Sequence, residues 1–135
     1  MKKIIPILFT LILTLSACAG TSASPEGEWT LISYGDTANQ TLALPNTETS
    51  ISFNSDNQFN GNVGCNIFHA GYQTEKNTIK IQPIASTKMY CQDIAEQEDA
   101  ILHILSEQTL NFEVNGNQLI LTSSDGLSMI VLEKK

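Results

Sequence analysis

Apolar and polar residues alternate with a period of two over most of the chain, in short runs set off by turn residues, and this predicts a mainly β domain. Glu28 to Tyr34 (EWTLISY) puts Trp29, Leu31 and Ser33 on one face. Ser50 to Asn54 and Gln58 to Val63 flank Ser55-Asp56-Asn57, which reads as a hairpin turn. Ile67 to Tyr72 and Thr78 to Ile81 flank the polar turn Thr74-Glu75-Lys76-Asn77 and form a second hairpin. Leu110 to Val114, Gln118 to Thr122 and Ser128 to Leu132 form a three-strand meander. Its turns, Asn115-Gly116-Asn117 and Ser124-Asp125-Gly126, hold residue types that tolerate positive φ. Asp36 to Asn46 reads as a loop or weak edge segment around Leu42 and Leu44.

Only Asp93 to Gln108 shifts to a helical period. Ile94, Ile101 and Leu105 form the stripe, and Ala95, Leu102 and Ile104 widen it. Asp93 and Glu96 resemble a capping box, with Glu98 and Asp99 adding negative charge near the helix N-terminus. One amphipathic helix among about eight or nine short strands predicts an α+β domain of mainly β class. Its expected form is a small antiparallel, partly open β-barrel with the helix covering a gap or an end.

The first residues follow another logic. Lys2 and Lys3 precede the apolar run Ile4 to Leu15, whose twelve residues are too few for a spanning helix, which needs ~20. The run closes on Leu15-Ser16-Ala17-Cys18, which resembles the lipobox of bacterial lipoproteins, where the cysteine thiol is acylated and the leader is cut away. On this reading residues 1–17 are a signal peptide, 18–25 are a lipidated Cys18 with a flexible linker, and 26–135 are the folded domain. An ordinary secretory signal cleaved near Ala19 or Ala23 is the alternative. Two or three acyl chains on Cys18 make attachment to a membrane lasting. Ala19, in place of an inner-membrane retention Asp, favours the outer membrane facing the periplasm.

Charge narrows the partners. Beyond the leader, five lysines stand against fourteen acidic residues with no arginine, a balance of −9. That argues against nucleic acid, whose phosphates need a basic face. It equally serves solubility or the steering of a cationic partner.

Cys65 and Cys91 remain once Cys18 is assigned to lipid, and an oxidising compartment invites one disulfide, with two buried free thiols as the competing reading. Gly61 to Asn66 (GNVGCN) interrupts the strand pattern, so Gly64 and Asn66 belong either to a binding loop or to a tight corner held by Cys65. His69 and His103 with the two cysteines match no common zinc spacing, so no metal is expected. There is no Gly-x-Ser-x-Gly elbow, Cys-x-x-Cys or phosphate-binding glycine loop, so neither a catalytic residue nor a cofactor is expected. Lys88, the only cation between Ser86 and Asp93, is a candidate to pair with an acidic neighbour or to meet a ligand carboxylate.

An ordered set of segments carries a family likeness: Gly27-Glu28-Trp29-Thr30-Leu31, Ile51-Ser52-Phe53, Phe59-Asn60-Gly61, Gly64-Cys65-Asn66-Ile67-Phe68 and Gly71-Tyr72. Ala85-Ser86-Thr87-Lys88-Met89-Tyr90-Cys91, Glu98 and Leu119-Ile120-Leu121 complete it. The chain resembles the META domain family of HslJ-like bacterial lipoproteins over residues 26 to 133. Family sequences commonly carry Arg where this one has Lys88, which puts any bidentate contact there in doubt. The resemblance implies a small antiparallel barrel with one helix, exported and often lipid-anchored. It implies roles in envelope stress, antibiotic tolerance and sometimes secretion, with a likeness to pilotin lipoproteins, and it supplies no catalytic residues. The expected function is non-enzymatic binding of a protein segment or an apolar ligand, with a structural accessory or pilotin-like role as the alternative. Gly64, Asn66, Thr87 and Lys88 are the family-motif candidates for the site.

Overall fold

The computed structural model describes residues 23–106 and 109–135, so the leader, Cys18 and most of the linker lie outside the described residues. The strands are β1 (Gly27–Asp36), β2 (Asn39–Leu42), β3 (Ser50–Phe53), β4 (Gln58–Asn62), β5 (Ile67–Glu75), β6 (Thr78–Ile81) and β7 (Ala85–Ser86). Helix α1 (Ala95–Leu105) follows, and the chain ends with β8 (Leu110–Asn115), β9 (Gln118–Ser123) and β10 (Ser128–Lys134). Among the described residues no helix is long and apolar enough to cross a membrane.

Every neighbouring pair of strands is antiparallel, in the order β10-β9-β8-β6-β5-β4-β3-β1, and β1 returns to pair with β10. Eight strands therefore close into a barrel, with β2 added beside β1 and the short β7 beside β5. The closing seam runs the length of β1, from Trp29 opposite Lys134 to Asp36 opposite Ser128. The thinnest seam is β6 to β8, where only Thr78 and Ile79 find partners. The weak segment after Asp36 contains β2, whose Leu42 remains exposed.

A β-bulge between Leu31 and Ser33 resets the alternation of β1. Trp29 and Leu31 point into the core as the period predicts, but after the bulge Tyr34 joins the core cluster and Ser33 does not. The Ser33 hydroxyl instead donates to Gln40 Oε1 on β2. The barrel is filled by side chains with almost no exposure, including Trp29, Phe53, Phe59 and Phe68. Phe59 lies 5.0 Å from Phe53 and 5.4 Å from Phe68 between ring centroids, and Tyr72 meets Phe53 edge-on at 5.2 Å. Each such side chain contributes ~1.5–3 kcal/mol by leaving water.

Helix α1 packs against β1 and β10, and its Ile101, Ile104 and Leu105 join the same core. Asp93 is not its cap. The N-cap is Ile94, which makes no side-chain cap bond, and the Cys91 carbonyl accepts from Ile94 N (3.1 Å) and Ala95 N (2.9 Å). A main-chain turn closed on Cys91 thus launches the helix where a carboxylate was expected, and Glu96 is exposed on its first turn. The helix ends at Leu105, short of the expected Gln108, which lies outside the described residues.

Candidate functional site

The unusual Gly61 to Asn66 stretch forms the corner between β4 and β5, and its glycines permit close approach. A Cβ on Gly61 would stand 2.6 Å from the Ser50 carbonyl oxygen and 2.8 Å from the Phe68 ring. Gly64 has φ +127°, and a Cβ there would lie 2.5 Å from Ile94 Cγ2. The helix N-terminus can sit on this corner only because no side chain intervenes.

Asn66 is the hub. It is 5% exposed, and all four hydrogen-bonding positions of its amide are used. Its Nδ2 donates to the Met89 carbonyl (3.1 Å) and to Glu98 Oε1, while its Oδ1 accepts from Met89 N and the Thr87 hydroxyl, each at 2.8 Å. The side chain thereby engages both main-chain groups of Met89, as a neighbouring strand would. Glu98, also 5% exposed, accepts from Asn66 N at 2.6 Å through its second oxygen. Thr87 Oγ1 in turn accepts from Ile67 N at 3.2 Å.

The adjoining Gln97 repeats the device. Its Nε2 donates to the Val63 carbonyl and its Oε1 accepts from Leu44 N, both at 2.8 Å. Among the described residues no buried side-chain nitrogen or oxygen lacks a partner. The same corner holds a disulfide between Cys65 and Cys91, whose Cα atoms are 6.1 Å apart.

The candidate residues thus separate. Gly64, Asn66 and Thr87 converge with Cys65 and Cys91 on one latch that fastens the segment Thr87–Cys91 to the barrel. Lys88 sits on this segment, exposed, and makes no ion pair; among the described residues the only one is Lys135 with Glu28, at 3.1 Å. Cys18 lies outside the described residues. His69 and His103 are both exposed. Among the described residues no three His, Cys, Asp or Glu side chains are grouped so that they could hold a metal ion.

Residue reading passed over Gln97 and took Glu98 as dipole charge, yet both are buried. A signal was present, since they lie three and four residues after Ile94 and four and three before Ile101, on the apolar stripe itself. Near the same helix turn, burial, with the Glu96 carboxylate adding to it, holds the Tyr34 phenol above its ordinary range.

The latched segment and α1 enclose a groove of about 260 Å³ between Thr87–Cys91 on one wall and Ala95, Glu98, Asp99 and Leu102 on the other. Above it Met89 and Tyr90 are 60% and 82% exposed, and Ile67, bonded through its main chain to Thr87, is 61% exposed. These are three of the five large apolar side chains exposed among the described residues, so the corner carries a concentrated apolar patch.

Fold and corner together define a class of small domain: a closed antiparallel barrel, stoppered by one helix, with a disulfide-and-amide latch at the helix end. The META domain model matches residues 13–135, and the chain belongs to the META domain family. Solved structures agree in fold. The chain is similar to a protein from Burkholderia xenovorans determined by NMR, with TM-score 0.67, 15% identity and 82% of each chain covered. A second NMR structure gives TM-score 0.60 and 19% identity over 80% of this chain and 88% of that one. The crystal structure of a DUF4847 family protein from Bacteroides vulgatus gives 0.59 and 15% identity over 82% and 93%. No curated protein matches the chain.

Proposed function

We propose that this META domain protein is a lipoprotein of the bacterial cell envelope, exported by its leader, acylated on Cys18 and held at the outer membrane facing the periplasm. Its domain works without catalysis and grips a segment of another envelope protein, in the setting of envelope stress and antibiotic tolerance that the family resemblance implies. The observation that carries the binding reading is the latched segment. A disulfide and a fully engaged amide hold it rigid, while Met89 and Tyr90 are left in water. Rigid presentation of apolar side chains lowers the entropy cost of association. The surface patch is favoured over an apolar ligand inside the barrel, because Trp29 and the phenylalanines occupy that interior.

The test is a photo-crosslinking amino acid at Tyr90 in the full chain expressed in a bacterial envelope, followed by mass analysis of the chain and of its adducts. A diacylglyceryl mass on Cys18, lost in Cys18→Ser, and a saturable protein adduct at position 90 are expected. An intact leader in the cytosol, or adducts no richer than those from a label at exposed Leu127, overturns the reading.

A further inference from the structure

The latched segment has two unlike sides. On the barrel side, Thr87 N donates to the Ile67 carbonyl at 3.1 Å, and both main-chain groups of Met89 are taken by Asn66. On the intervening residues, Lys88 and Tyr90, none of the N–H and C=O groups has a partner among the described residues. That alternation is the pattern of an edge strand, paired on one side and open on the other. The segment also continues from β7, whose one partner is β5.

Resting on the binding reading above, we infer that the partner docks by adding a β-strand to this edge, and that the strand is an extended, cationic segment of another protein. Main-chain bonds to Lys88 and Tyr90 supply its alignment, and the exposed Met89 and Tyr90, on opposite faces of the extended edge, flank its apolar side chains. The charge preference follows from the surroundings. Asp99, exposed on α1, lines the groove beside the segment, and five lysines against fourteen acidic residues leave the chain beyond the leader strongly negative. Lys88 is the edge's own cation, a residue type that discourages indiscriminate pairing of open strands.

The probe is a short synthetic peptide of alternating lysine and valine, compared with a glutamate-for-lysine version and with one N-methylated on alternate residues. Amide exchange and binding are measured on the full chain in detergent. Slowed exchange at the Lys88 and Tyr90 amides is expected, with binding about ten-fold weaker for the N-methylated peptide, as befits the loss of one or two net hydrogen bonds. The glutamate version should bind more weakly still. Lys88→Pro, which removes one edge N–H and touches none of the latch bonds, should reproduce the loss with the fold intact. Absent binding, or affinity indifferent to N-methylation, overturns strand addition. A Tyr90 adduct in the envelope together with that indifference leaves the binding reading standing and removes only its geometry. Peptide protection without any envelope adduct does the reverse.

Discussion

The barrel interior and the helix-side corner are both dry, yet they are built from opposite materials. In the interior Phe53, Phe59 and Phe68 meet ring against ring, and apolar shape alone fixes them. At the corner, Asn66, Gln97 and Glu98 are buried to the same degree but are held by directional bonds to Met89, Val63 and Leu44. The difference teaches a division of labour. Area removed from water stabilises the barrel, whereas polar complementarity selects one position for the segment that the barrel presents.

The comparison can be broken from either side. Phe59→Ala should cost the most, ~3–5 kcal/mol in denaturant unfolding, because it empties the centre of the aromatic row. Replacing Cys65 and Cys91 together by Ala should lower stability by ~3.5 kcal/mol in the chain-entropy estimate for a separation of 26 residues. The same variant should raise amide exchange in Thr87–Cys91 more than in β9. Glu98→Gln keeps shape but turns one acceptor into a donor facing Asn66, and a loss of ~1–3 kcal/mol is expected. A neutral result would show that the corner is held by packing, like the interior.

A smaller effect appears at alkaline pH. Burial raises the phenol pKa of Tyr34 and of Tyr72 above the usual 10.0, so the unfolded chain releases these protons first. Their stabilising contribution is complete below pH 10.0 and is lost as pH rises through the folded values. The melting temperature should fall in that window, and less steeply in Tyr34→Phe and Tyr72→Phe. Lys88→Met should be the quietest change, within ~0.5 kcal/mol, since Lys88 is exposed and unpaired. Marked destabilisation there would place Lys88 in the latch.

Much of the barrel was legible because strands write their period into sequence. The meander from Leu110 onward and the hairpins around Asn57 and Lys76 occur where alternation and turn residues put them, with Asn57 and Lys76 both at positive φ. The bulge after Leu31 left no such mark, since one extra residue is set by the partner strands and not by local preference. Closure of β1 on β10 joins the two ends of the domain, a pairing that no local window contains. Within the candidate site, Gly64 announced a tight corner. Asn66 shared with it the alternative of a binding loop, and Glu98 read as charge for the helix dipole. Only the fold brings the two within bonding distance.

The Trp29 indole donates to the Pro25 carbonyl at 2.9 Å, and Pro25 is buried, so the start of the domain is pegged there. From that peg β1 runs inward with β10 along one flank and β3, then β2, along the other. In the anchored protein proposed above, any pull between membrane and partner enters at this point and runs lengthwise down β1. It would have to slide many ladder bonds at once and could not peel them singly. In such an anchored protein the domain would take the tension in shear along β1.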